Sequence, residues 1–213
     1  MLISVIMLLQ MTGFMGRIAV TAYYVIYCMG SFTMIGVIMG IPSVVGVVGA
    51  LASPAIVKKL GKRNALLLGM LIQGAGLLIV YLSPFDNMAM IIAGHVVFGF
   101  GSFGAPIMLS MVADSVDYQD LKTGVRTDGT AYATYGLASK AGNAIGAAVG
   151  VMLLSAFGYV ANQQQSAEVM GGINMVVNLL PAICFAIGAV ICLFWKMSDA
   201  DADEIRRKLA ERE

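Results

Sequence analysis

Carboxylates are missing from every long apolar run of this 213-residue sequence, although it holds 12 Asp and Glu in all. Charge is scarce overall, at 12% Asp, Glu, Lys and Arg against the quarter usual in soluble domains. A soluble core of this length would still need a charged surface, so a water-soluble globule is excluded. One histidine, three cysteines and one tryptophan leave little material for a catalytic cluster or a metal cage. A membrane enzyme would gather carboxylates, histidines or a nucleophile with its base inside its spans. The sequence therefore predicts neither an enzyme nor a resident metal or cofactor. Acids and bases are interspersed in the polar segments, and nothing suggests a nucleic-acid partner.

What remains is apolar: 59% hydrophobic residues, with a mean hydropathy of +0.86. Six runs are long enough for a bilayer core, which takes about 20 residues at 1.5 Å rise. They lie at 2–28, 33–57, 64–83, 88–112, 129–157 and 171–196. Backbone groups in lipid must be satisfied within the segment, so each run reads as a helix. The short alternating segments of a membrane β-barrel do not occur. The expected fold is all-α and integral to the membrane: a six-helix bundle over 1–196 with a polar connection at 113–128, and a tail at 197–213.

Basic residues orient it. Lys58, Lys59, Lys62 and Arg63 follow the second run, Lys122 and Arg126 follow the fourth, and Lys196, Arg206, Arg207, Lys208 and Arg212 follow the sixth. The other three connections hold none. The positive-inside rule then places both termini in the cytoplasm, as a multi-pass protein of a bacterial-type inner membrane. The tail, "SDADADEIRRKLAERE", gathers acids in its first turn and has Ile205 and Leu209 one turn apart, which predicts a short amphipathic helix capped at Ser198 or Asp199. Met1 opens directly into a span with no basic flank, so the chain reads as cut or started late.

Small residues recur four apart at Gly36/Gly40 and at Gly142/Gly146/Gly150, a spacing that brings helix backbones together in lipid. The stretch "FGFGSFGAPIM" (98–108) predicts a bending fourth span. Cys28, Cys184 and Cys192 read as small packing residues, without a disulfide pattern.

Three ionisable side chains fall well inside spans: Arg17, His95 and Lys140. His95 reads as a hydrogen-bonded structural residue. Arg or Lys at a helix centre costs about 2.5–3.5 kcal/mol on insertion scales, so such groups are paired or functional. Neither Arg17 nor Lys140 has an acidic partner inside a span. The negative charge must come from another polypeptide segment, from an anionic substrate, or from both.

The stretch "MVADSVDYQDLKTGVRTDGTAYATYGLASKAGNAIG" (111–146) resembles the segment joining helices ten and eleven in sugar–cation symporters of the glycoside–pentoside–hexuronide family, within the major facilitator superfamily. Asp114, Asp117, Tyr118, Lys122, Gly124, Arg126, Tyr132 and Lys140 carry the likeness. The stretch "GYVANQQQSAEVMGGINMVVNLLP" resembles the segment after helix eleven in that family. The likeness is specific over about 111–181 and general before it. It implies the C-terminal half, helices seven to twelve, of a twelve-helix carrier that takes up a sugar or sugar acid by alternating access. Na+, Li+ or H+ would be the coupling ion, and a missing N-terminal six-helix half would hold the essential carboxylates. Lys140 would stand at the site shared by the two halves, and Asp114, Asp117, Tyr118, Lys122 and Arg126 would form a cytoplasmic gate. The small residues at Gly104 and Ala105 depart from members with an aromatic there. Tyr132, Tyr135 and Asn143 are expected to line the pocket instead, because positions 132, 136, 140 and 143 share a helical face. Arg17 matches no family residue and suggests pairing with an acidic substrate. Alone, the chain is expected to be inactive. A non-transporting remnant that folds with a partner transporter, and a small carrier working as a homodimer, are the alternatives.

Overall fold

The structure, a computed structural model, describes residues 1–211; Arg212 and Glu213, the last two residues of the expected tail, lie outside the described residues. The described chain is helical with short connections. In chain order the elements are α1 (Leu2–Tyr23), continued by a π-turn at Tyr24–Cys28, α2 (Ile35–Leu82), α3 (Met88–Phe100), a 3-10 turn at Gly101–Phe103, and α4 (Gly104–Thr123). They are followed by α5 (Asp128–Ala156), α6 (Ala167–Asn174), a second π-turn at Met175–Leu179, α7 (Leu180–Cys192) and α8 (Asp199–Ala210).

Helix α2 holds 48 residues, enough for about 72 Å of α-helix, twice what a ~30 Å hydrocarbon layer admits. It is two spans joined at Gly61, whose φ of 76° and ψ of 160° leave the helical region. Neighbouring positions prove the reversal. Pro42, Gly46 and Gly49 meet Gly99, Ser102 and Phe103 in ascending order, whereas Val80, Gly76, Gly69 and Leu66 meet Gly94, Phe98, Gly101 and Gly104 in descending order. The arms 35–60 and 62–82 therefore run antiparallel along one helix. Only glycine adopts this φ readily, and a side chain on Gly61 would press against the Asp199 carboxylate.

Five helical stretches are long and apolar enough to cross a membrane, and the one containing both arms of α2 supplies the sixth crossing. The chain is a multi-pass membrane bundle. One correction concerns 113–128, expected as a loop. Residues as far as Thr123 continue α4, and Gly124, left-handed at φ 69°, ends the helix. Val112 and Val116, one turn apart and both buried, keep that segment on the bundle. The true connection is only 124–127.

Side-chain size sets the packing. Gly142, Gly146 and Gly150 of α5 lie on Leu8, Thr12 and Gly16 of α1, so close that a β-carbon on Gly146 would overlap the Thr12 carbonyl. Gly13 of α1 admits Pro181 and Cys184 at the start of α7. The same spacing misleads at Gly36 and Gly40, which have nothing within 4 Å. The 98–108 stretch bends as expected, through the 3-10 turn. Large apolar side chains stay exposed on the first arm of α2, with Leu51 at 78%, and on α5, with Leu137 at 69%. Such surfaces require lipid or further protein.

The tail is a docked helix. Ser198 caps α8 by accepting from the Asp201 N–H at 3.1 Å, while the Asp201 carboxylate accepts from the Ser198 N–H at 2.9 Å. Ala202 and Ile205 are buried against the bundle.

Adding one methyl at the α1–α5 contact should therefore cost more than adding it on an open face. Gly146→Ala is expected to lower unfolding stability in detergent by about 1–3 kcal/mol, whereas Gly36→Ala should leave it unchanged or slightly raised. Equal midpoints for the two variants would refute this account of the packing.

Candidate functional site

Arg17 stands fifteen residues after Leu2, about 22 Å along α1 and near the middle of its span. It is 3% exposed. Its guanidinium carbon lies 4.7 Å from the centre of the Phe98 ring, an attraction of about 0.5–2 kcal/mol. Its Nε and one Nη are buried without a hydrogen-bond partner. Among the described residues no ion pair includes Arg17 or Lys140. The charge deficit read from the sequence is thus present in three dimensions for Arg17.

Beside Arg17 opens a cleft of about 640 Å³ between α1, the first arm of α2 and the 3-10 turn with the start of α4. Phe14 and Phe98 give it aromatic walls, and Thr21, Ser43 and Ser102 bring hydroxyls. Thr21 donates to the Arg17 carbonyl at 2.8 Å and Ser43 to the Met39 carbonyl at 3.3 Å, so their remaining oxygen lone pairs are free to accept. Among the described residues, Arg17 is the only charged one lining this cleft. The arrangement can hold a polar, hydroxyl-rich molecule carrying a negative group.

The residues expected to share one pocket do not meet. Leu8, Thr12 and Gly16 mark the face of α1 that carries α5, while Phe14, Arg17 and Thr21 face nearly the opposite way at 3.6 residues per turn. Lys140 is exposed on α5 and lines no part of the cleft. Tyr132, at 41% exposure, lies on the same open side of α5. Tyr135 instead packs against the apolar cluster of Ile3, Phe103 and Met111. Asn143 is half-buried, with its Oδ1 unpartnered. The face shared by 132, 136, 140 and 143 was expected to line the pocket that also holds Arg17; within this bundle α1 stands between them and the Arg17 cleft.

Of the five residues read as a gate, Asp114, Asp117 and Arg126 fall into two ion-pair groups at the basic end, and Tyr118 and Lys122 meet through a ring contact. Asp114, 4% exposed, receives Lys62 Nζ at 2.5 Å and lies 3.8 Å from Arg206. It thereby ties α4 to the turn inside α2 and to α8. The Lys62 N–H also donates to Asp199 at 3.0 Å. Arg126 reaches Asp117 at 3.3 Å, Asp120 at 3.6 Å and Asp128 at 2.7 Å, all around the exposed α4–α5 turn. These carboxylates, Asp128 foremost, raise the Arg126 pKa. Lys122 lies over the Tyr118 ring at 5.9 Å.

Sequence reasoning missed a polar seam through the bundle centre. Gln10 donates to Gln73 at 3.4 Å, and Asn178 donates to Asn174, which in turn donates to the Tyr81 carbonyl. His95 is fully buried, with Nδ1 2.8 Å from the Ile91 carbonyl, so this nitrogen carries the proton and Nε2 is left as an unpartnered acceptor. The polar residues at 10, 73, 174 and 178 within apolar runs were the available signal. At the far end Tyr159 donates to Tyr27 at 3.0 Å beside Tyr23.

The profile of the family described as MFS/sugar transport protein matches residues 1–199. Among characterised proteins, the chain is similar to an isoprimeverose transporter of Lactiplantibacillus pentosus, 36% identical over 87% of this chain and 39% of that protein. It is 29% identical to a glucuronide carrier protein homolog of Escherichia coli strain K12, over 88% of this chain and 41% of the relative. A putative sulfoquinovose importer of Salmonella typhimurium is 26% identical over 96% and 44%. The chain spans about two fifths of the length of the relatives it matches.

Two outcomes are expected at the basic end. Asp114→Asn removes both ion pairs of a buried carboxylate and should destabilise the bundle by about 2 kcal/mol, with α8 becoming open to protease. Asp117→Asn, whose partner Arg126 keeps Asp120 and Asp128, should change little. Asp201, for its part, is held below the ordinary aspartate range, first by the Ser198 N–H and then by its hydroxyl. A depressed carboxylate stabilises the fold above its unfolded pKa, and that contribution disappears as pH falls through the lowered value. Protection of α8 should accordingly decline below about pH 4, and Ser198→Ala, which keeps the backbone donor and loses the hydroxyl, should weaken that pH dependence without abolishing it.

Proposed function

From the premise that this chain belongs to the MFS/sugar transport protein family, we propose that it is the C-terminal half of a sugar symporter working by alternating access. Its six crossings stand as helices seven to twelve, and an N-terminal six-helix half completes the carrier. The basic end faces the cytoplasm of a bacterial-type inner membrane, with both termini on that side. Na+, Li+ or H+ is the coupling ion, held by carboxylates of the partner half. What supports this reading is the Arg17 cleft: a sugar-sized opening near the middle of the span, with aromatic walls, hydroxyls and a cation that has no counter-charge among the described residues. The names of the relatives, two transporters of sugars and a glucuronide carrier homolog, agree with a glycoside as cargo.

Lys140 and the cleft flank α1 on either side, and both lie on surfaces this bundle leaves open. A second bundle placed against α1 would bring them to one midplane cavity, as in carriers built from two repeats. The ion pairs around Asp114 and Arg126 would close the cytoplasmic end when the cavity faces outward.

Glycoside uptake should appear in cells that co-express this chain with a six-helix N-terminal half, and not in cells with either half alone. In that assembled carrier Lys140→Ala should lower uptake at least about tenfold, the size of one lost charge-assisted hydrogen bond. Uptake by this chain alone would favour the homodimer, and no uptake in any combination would discard the transport reading.

A further inference from the structure

A guanidinium in a membrane interior needs an anion, and the surroundings of Arg17 show where that anion must come from. The nearest aromatic face, Phe98, holds it through its ring and leaves its Nε and one Nη without a hydrogen-bond partner. His95, deeper in the bundle, offers only a neutral Nε2. No acid of α1, α2, α3 or α4 inside the spans reaches it, since every acidic residue of those helices lies at 114 or beyond, on the basic end. The open side of Arg17 is the cleft, whose other polar lining groups are the hydroxyls of Thr21, Ser43 and Ser102. Two of those hydroxyls already donate to helix carbonyls and therefore present acceptor lone pairs. Such oxygens suit sugar hydroxyls. They repel a carboxylate, which leaves Arg17 as the one cationic group lining the cleft that can take an anion, with the Ser102 hydroxyl as a further donor.

We infer that the cleft takes an acidic sugar, with the carboxylate docked on Arg17 and the ring against Phe14 or Phe98; this rests on the transport reading above. The planar guanidinium offers parallel N–H donors that match a carboxylate in a bidentate pair, which a neutral hydroxymethyl group cannot reproduce. The cation thereby serves as a selectivity element, distinct from the exposed Lys140 across α1. A neutral sugar entering the same cleft would leave the guanidinium buried and uncompensated, which is a penalty against the wrong substrate as well as an attraction for the right one.

The test uses the carrier assembled with its N-terminal half and two probes that differ only at C6: methyl β-glucuronide and methyl β-glucoside. The uptake efficiency of the acid should exceed that of the neutral glycoside at least about tenfold, the discrimination expected when a charged group gains or loses its hydrogen bonds. Arg17→Gln should reduce that acid-to-neutral ratio by tenfold or more, and Arg17→Lys, which keeps the charge without the fork, should hold an intermediate ratio. A wild-type ratio near one overturns the inference without any variant, and so remains decisive if Arg17→Gln fails to assemble. A ratio unchanged by Arg17→Gln, with both uptakes depressed alike, would assign the guanidinium to an acid of the partner half and also overturn it. Uptake of the neutral probe with no acid preference removes this inference alone, whereas uptake of neither removes the transport reading with it.

Discussion

Charge in a membrane interior is the constraint on which the rest of this molecule depends. Every carboxylate of the described chain lies in a connection, within about three turns of a helix end or in the tail, and all but two cations lie with them towards the ends. The sorting follows from the cost of desolvating an ion, several kcal/mol even after relaxation. At the basic end that cost is met by pairing: Asp114 sits between Lys62 and Arg206, and Arg126 among three aspartates. In the interior no such pairing exists among the described residues, and Arg17 rests on a ring instead. The same physics that sorts the ends makes the middle incomplete.

The bundle nevertheless holds together because its cohesion does not depend on charge. In lipid, apolar contact gives no preference for protein over acyl chains, so close backbone approach is what binds helices. Glycine faces supply it between α1 and α5 and between both arms of α2 and the α3–α4 helix. This leaves polar groups free for other work. Gln10 with Gln73, and Asn174 with the Tyr81 carbonyl, cross-link the interior by single hydrogen bonds, while Arg17, His95 Nε2 and Asn143 Oδ1 keep unused capacity.

How much of this was legible in the sequence depended on whether the physics is local. The spans and the basic end could be read because hydrophobic length and the positions of Lys and Arg act residue by residue. Ser198 could be read as a cap because a capping box closes within four positions. The helical course of 113–123 was hidden, because acidic and polar residues suggest a loop while two buried valines decide for helix. Glycine spacing identified the α5 contact and failed at Gly36 and Gly40, since four-residue spacing states what a helix permits, and only a neighbour can use it. That Arg17 and Lys140 flank α1 on opposite sides was hidden for a related reason. Depth in the membrane follows from position along a helix, but the direction a side chain takes depends on which face the neighbours occupy, and α5 occupies the face of α1 opposite the cleft.

That separation bears on how one chain can carry two interior cations without mutual harm. Two positive groups sharing one dry cavity would repel and raise each other's cost. Placed on opposite sides of α1, the two are held apart by packed helix. A ring contact worth about 0.5–2 kcal/mol holds Arg17 more weakly than a bidentate carboxylate would. A permanent acid on the same chain would neutralise the guanidinium and make every incoming anion compete for it. The aromatic face instead fixes its position while leaving its donors unspent, so that the strongest interaction open to this residue forms only when an anion arrives. An unpaired buried cation is then stable enough to persist in the folded bundle and unsatisfied enough to be of use.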